Sequence, residues 1–276
     1  MSQPIHIPVD VTNPGQFFAC CGLLELASLL WPGAAGGFCC DLFAVQAAAR
    51  GASLQSLLEA FQRADLSVDD AVDAAGAEDD DNESGRVAPM MLGAPFNMAL
   101  GWWSDKQLKP WAGSMNARLI FTAMRGAIRS EADDPLNHLS VVHDPAEPAS
   151  PGSKKATPKK REPFYFDSRR GASAKSLDVG FSPDRLGMTT AACPAVESLC
   201  VVGLQRFRPM PTQQPRVFVY RAWTTSLPPS TAAAAACGML PGVGGDIYRF
   251  ENAFRTDQRK HKGFLSATRI SEGDTQ

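Results

Sequence analysis

The stretch Asn13-Pro14-Gly15-Gln16-Phe17-Phe18-Ala19-Cys20-Cys21-Gly22-Leu23-Leu24-Glu25-Leu26-Ala27-Ser28-Leu29-Leu30-Trp31-Pro32-Gly33 carries the strongest local signal in the chain. Asn13 is a good N-cap, Pro14 suits the first helical position, and Gln16, three residues after the cap, is placed to complete a capping box. Trp31-Pro32-Gly33 ends the helix, because proline excludes the α conformation from the residue before it. Between cap and stop the sequence is apolar on nearly every side. It predicts a helix over 14–30 buried on most of its faces, not one lying amphipathically on a surface.

Working outward, Ile5 to Val11 alternates as a short strand, Cys39 to Phe43 reads as a strand, and Ser53 caps an amphipathic helix to about Ala64. Residues 69–85 are acidic, small and poor in aromatics, the composition of a surface loop. Strands are expected over Val87–Leu92 and Phe96–Trp103, then a polar connection, then a helix capped by Ser114 and running to about Arg129. Residues 131–162 form the main break, with five prolines at 135, 145, 148, 151 and 158 and the basic run KKATPKKR at 154–161. Beyond it the pattern predicts strands at Phe164–Asp167, Arg216–Trp223, Ile247–Phe254 and Gly263–Ile270. Helices are expected from Pro194 to about Leu204 and near 230–238. Interspersed elements without βαβ spacing predict a mixed α+β fold with largely antiparallel sheets. The expected organisation is an N-terminal α+β domain (1–130), a flexible linker or insert (131–162) and a basic α+β region (163–276) packed on the first.

The net charge of −2 conceals an asymmetry. Residues 1–150 hold 8 Lys/Arg against 19 Asp/Glu, and residues 151–276 hold 19 against 10. A basic half facing a polyanion accounts for this split, and so does attraction between the halves. The seven cysteines are odd in number and contain no CxxC, which predicts reduced thiols serving as small core residues. Adjacent cysteines on a strand point to opposite faces, so neither doublet (20–21 or 39–40) is expected to chelate. The opening MSQPIHIPVD has no basic segment leading into an apolar one, and no apolar run is long enough to span a bilayer, so a cytoplasmic chain with no membrane role is expected.

Several clusters suit nucleic acid. On a helix over 114–129, Arg118, Arg125 and Arg129 fall within about 40° of one another, a stripe for a phosphate backbone or a plain solvated face. Lys106-Gln107-Leu108-Lys109-Pro110-Trp111 combines cations, an amide and an indole, although such loops are also common connectors. Ser168-Arg169-Arg170-Gly171-Ala172-Ser173-Ala174-Lys175 offers cations and hydroxyls with small residues that permit close backbone approach. Arg206 and Arg208 flank Phe207, and Lys260 and Lys262 flank His261; stacking on unpaired bases or solubilising a strand edge fits both pairs. Catalytic signatures are missing from the sequence. There is no GxxxxGK[ST], HExxH or GxSxG, and PGVGGD at 241–246 is not a dinucleotide fingerprint. His6, His138, His143 and His261 are scattered, and the densest carboxylates, Asp79–Asp81, lie in the acidic loop. No catalytic residue, metal or cofactor is therefore expected.

Five segments together resemble a known family. VDVTNPGQFFACCGLLELASLLWPGA (9–34), GWWSDKQLKPWAGSMNARL (101–119), FYFDSRRGASAKSLDVGFSPDRLGM (164–188), ESLCVVGLQRFRP (197–209) and RFENAFRTDQRKHKGFLSAT (249–268) look like the small large-subunit proteins of the type I-G (formerly I-U) CRISPR Cascade, in family order. The resemblance implies a non-catalytic subunit of a crRNA-guided ribonucleoprotein. Its partners would be backbone and capping or processing subunits, crRNA, target double-stranded DNA bearing a protospacer-adjacent motif (PAM), and a helicase-nuclease. Such a subunit contacts PAM-proximal duplex, helps open the target and docks the helicase-nuclease, while guide pairing reads sequence. By position, Lys109, Arg169 and Arg170 inherit the DNA-facing role. Larger relatives end in a helical bundle, whereas this sequence ends in strand patterns, so small subunits would be supplied separately. The insert at 148–161 has no counterpart in the family pattern. The alternatives are a bridging subunit that does not touch DNA and a crRNA-processing nuclease.

Overall fold

A computed structural model describes residues 3–68, 89–111, 115–144, 159–169, 191–255 and 261–274. The helices are α1 (Pro14–Leu30), α2 (Leu54–Arg63), α3 (Ala117–Gly126), α4 (Pro194–Arg206) and α5 (Pro229–Ala236). Strands β1 (Ile5–Pro8), β2 (Ala35–Cys39) and β3 (Leu42–Gln46) form an antiparallel sheet in the order β1-β3-β2. A second sheet joins β4 (Leu66–Val68), β5 (Met90–Leu92) and β6 (Met98–Leu100) in sequence order. The third contains β7 (Met210–Pro211), β8 (Val217–Ala222) and the long β9 (Asp246–Phe254), whose outer edge pairs with β10 (Lys262–Phe264) and β11 (Thr268–Ile270) in turn. The fold is α+β, its sheets are antiparallel, and its N-terminal helix is buried.

Residues Pro14 to Ala27 of α1 are all buried, which explains a sequence with no polar face. One flank of α1 lies directly on α4, where Gly22 and Gly203 let the two backbones touch. Another flank meets the sheets through aromatic rings, with Phe17 4.3 Å from Tyr220 and 4.9 Å from Phe38. Trp223 closes this cluster, 5.0 Å from Phe38 and stacked on Phe207. A second aromatic group (Trp102, Trp103, Trp111, Phe164 and Phe166) joins the first through Phe264 and Phe250. Buried residues from both ends of the chain share one apolar core.

Several local expectations are corrected. Asn13 does cap α1, accepting from Gly15 N at 3.1 Å, but Gln16 Oε1 accepts from Asp10 N at 2.7 Å, so no capping box forms. The strand expected at Cys39–Phe43 is instead a hairpin corner: Cys39 pairs with Leu42, and Cys40 has a positive φ of 53°. Cys39 and Cys40 are therefore exposed and Cys237 half-buried, while Cys20, Cys21, Cys193 and Cys200 lie in the core as expected. Phe96–Trp103 shortens to β6 followed by a 3-10 turn at Trp102–Ser104. Residues 164–167 form no strand. Tyr165 takes φ 70°, and the amides of Phe166 and Asp167 donate to the Glu197 carboxylate at 3.3 and 3.2 Å instead of to a neighbouring strand. Gly263–Ile270 divides into β10 and β11.

The described part of 131–162 is anchored to the body. Leu136 is fully buried, Ser140 bridges to Ala192, and Arg161 grips Asp144 at 2.5 and 2.6 Å. The acidic loop at 69–85, the start of the strand expected at Val87, Ser114 and the insert core at 145–158 lie outside the described residues. No helix among the described residues is long and apolar enough to cross a membrane.

Candidate nucleic-acid interface

The loop after the 3-10 turn is shaped by Asp105, whose Oδ1 accepts from Gln107 N at 3.0 Å and Leu108 N at 3.1 Å. Leu108 and Trp111 plug into the core and leave Lys106 exposed and Lys109 half-buried at the rim. A β9 side chain fixes the loop from below. Asn252, fully buried, donates Nδ2 to Gln107 O at 2.8 Å and Leu108 O at 3.0 Å. From the adjacent strand, Lys262 N donates to Pro110 O at 2.8 Å, and its ammonium donates to the Lys106 carbonyl. Arg216, at the entry to β8, donates its backbone N to Gln107 Oε1 at 3.1 Å and lays its guanidinium 4.6 Å from the Phe254 ring.

Four cations, Lys106, Lys109, Arg216 and Lys262, are thus assembled by a docked loop, with Asp105 as an acidic neighbour. Glu251 stands 3.9 Å from Arg216. The electrostatics record the crowding. Burial, followed by the charges of Lys109 and Arg216, brings Lys262 down to a pKa of about 8, with Asp105 opposing. Burial and then Lys106 lower Lys109, whose ammonium lies 5.6 Å from the Trp111 ring. Arg208 adjoins through Trp102, 5.8 Å from its ring, and burial lowers its pKa against the pull of Asp105. Desolvated cations set against one another favour a ligand that brings negative charge.

The other basic residues separate from this patch. The arginine stripe does not exist, because α3 ends at Gly126. Arg118 is exposed on the helix and Arg129 lies beyond it. Arg125 turns inward, donating to Phe61 O at 3.3 Å and Ala64 O at 2.7 Å, where it satisfies carbonyls left open at the end of α2. Arg206 is held by Glu25 at 2.7 and 3.0 Å. Ser168 is buried; its amide donates to Asn13 Oδ1 at 3.1 Å, and its hydroxyl takes Ser266 Oγ at 3.2 Å. Arg169 is clamped by the buried Asp167 at 2.7–3.2 Å, by Leu136 O at 3.0 Å and by Asn137. Arg170, Ser173, Lys175 and Lys260 lie outside the described residues. Lys106 and Lys109 therefore converge with Lys262. Sequence reasoning passed over Arg216 and Asn252, which no motif marks.

Among the described residues, no group of three or more His, Cys, Asp or Glu side chains is placed to hold a metal ion. Compared with known proteins, the chain matches no family model, no curated protein and no solved structure.

Proposed function

We propose that this chain is a non-catalytic, nucleic-acid-binding subunit of a type I-G CRISPR Cascade, filling the large-subunit role at PAM-proximal duplex. Its partners are crRNA-bound backbone and capping subunits, target DNA and a helicase-nuclease. The reading rests on the five resembling segments, and one observation carries it further. Two segments far apart in sequence, 101–119 and 249–268, meet at the cation patch and supply Lys106, Lys109 and Lys262. Such a patch binds phosphates by charge and releases counterions, and its grip is independent of base sequence. That division of labour suits a complex in which guide pairing reads the target.

The test is target-DNA affinity of the assembled particle across a salt series. Replacing Lys109 and Lys262 together by alanine removes two phosphate contacts, so affinity falls and the slope of log K against log salt becomes shallower by roughly 1.8. Arg206→Ala leaves that slope unchanged, because Arg206 serves Glu25. An unaltered slope in the double variant overturns the assignment. A bridging role without DNA contact is the second reading, favoured by the internal use of Arg125, Arg169 and Arg206. Under it, the double variant fails to assemble or binds target as the parent does.

A further inference from the structure

The β2–β3 hairpin turns on two residues, Cys40 and Asp41, because Cys39 is the last paired residue of one strand and Leu42 the first of the next. Tight hairpins of this length favour glycine or asparagine where φ is positive. Here Cys40 occupies that position at φ 53°, a conformation in which a side chain is strained. At φ 53° the backbone of Cys40 is not extended, so the strict alternation of a strand does not apply at this corner. Both thiols are exposed. The neighbouring Cys39, and after it Asp41, raise the Cys40 thiol above its ordinary pKa. The remaining cysteines are buried apart from the half-buried Cys237.

Two adjacent thiols are poorly built for a disulfide. Consecutive Cα atoms are about 3.8 Å apart, short of the roughly 4.4–6.8 Å of relaxed disulfides. A single large, soft atom bonded to both sulfurs enlarges the ring and relieves that constraint, and soft centres prefer sulfur ligands. We propose that Cys39 and Cys40 form a vicinal dithiol site for a soft trivalent centre of the arsenic(III) class. With an organoarsenous acid, two As–O bonds break and two As–S bonds form. The two thiol protons leave in two water molecules, and no oxidation state changes. Neutral thiols suffice for this exchange.

The probe is phenylarsine oxide, given at one equivalent to the reduced full chain, followed by a large excess of a monothiol and intact-mass measurement. The parent chain retains one arsenical against the monothiol and surrenders it to a 1,2-dithiol. Cys39→Ser and Cys40→Ser each weaken retention by on the order of 100-fold, the scale of a lost second attachment. Cys237→Ser retains it fully. Cys40→Gly, which relaxes the turn, keeps the parent's thermal stability yet loses capture, separating chemistry from folding. Retention in either single-serine variant at the parent's level overturns the proposal. So does loss from the parent to monothiol as fast as from those variants.

Discussion

The contact of α1 with α4 leaves no room for a methyl group, and Gly203→Ala measures how much the fold depends on that approach. A Cβ at 203 would lie 2.0 Å from Phe18 O and 2.9 Å from Gly22 N; one at 22 would lie 2.2 Å from Leu199 O. Carbon–oxygen contacts in proteins settle at about 3.3–3.6 Å, so the helices must part by more than about 1 Å. The atoms met are backbone, which cannot swing aside, and the flanking seam is buried. Overpacking costs about 1–3 kcal/mol or more, while exchanging glycine for alanine inside a helix returns about 1 kcal/mol. A net loss of about 2 kcal/mol follows, a fall of roughly 4–8 °C in Tm for a chain of this size. Gly126→Ala is the control. It sits at the end of α3 with nothing within 4 Å of an added Cβ, and it should hold or raise stability. Because both glycines serve one contact, Gly22→Ala with Gly203→Ala should cost less than the sum of the single changes. Thermal and urea denaturation of the four variants read this directly. Gly203→Ala behaving like Gly126→Ala would refute the claim that the two backbones touch.

Arg125→Ala should lower stability by about 2 kcal/mol, since it strips charged donors from the carbonyls of Phe61 and Ala64; urea unfolding checks this, and Arg118→Ala should be neutral. Glu197, raised by burial from 4.5 to about 7, binds a proton more readily folded than unfolded. Its folded pKa exceeds its unfolded one, so its contribution is full below about pH 4.5 and is lost as pH rises through about 7. Glu197→Gln should flatten that decline in denaturation midpoints across the window. Lys262, near a pKa of 8, should gain proton occupancy when an anion binds, so affinity falls as pH passes about 8. Lys262→Arg should carry binding to higher pH in titrations with labelled DNA.

Much of the fold is legible in the sequence where local chemistry agrees with the tertiary structure. Asn13-Pro14 and Trp31-Pro32 bound α1, Ser53 caps α2 and Pro194 opens α4, each by a rule that needs no distant partner. Two of the misread positions share one cause, a partner remote in sequence. Phe164 to Asp167 has the composition of a strand, yet its amides turn to Glu197 some thirty residues on. Angular counting put Arg125 beside Arg118, but the end of α2, sixty residues earlier, draws it inside. Cys40 carries no glycine, asparagine or proline to announce the corner it makes. For the site, the loop at 106–111 was visible as a cationic, aromatic segment. Its union with Lys262 and Arg216 rests on hydrogen bonds that span more than a hundred residues, from Asn252, Lys262 and Arg216 to the loop.

The cations sort by what answers their charge. Arg125 meets carbonyl oxygens, Arg169 a buried aspartate and Arg206 a glutamate on α1, so their work is completed inside the chain. Lys109, Lys262 and Arg216 stand against one another over tryptophan and phenylalanine rings. Docking a lysine-bearing loop onto a lysine-bearing strand sets like charges together, offset in part by the hydrogen bonds of Lys262 to the loop carbonyls. The apolar contacts of Leu108 and Trp111 must outweigh the repulsion before any ligand arrives. Under the proposed function an anion would relieve the remaining repulsion, and a phosphodiester backbone supplies such charge at regular spacing. Number of basic residues is thus a poor guide to the interface. What distinguishes the patch is that its cations lower one another's pKa even with Asp105 and Glu251 close by.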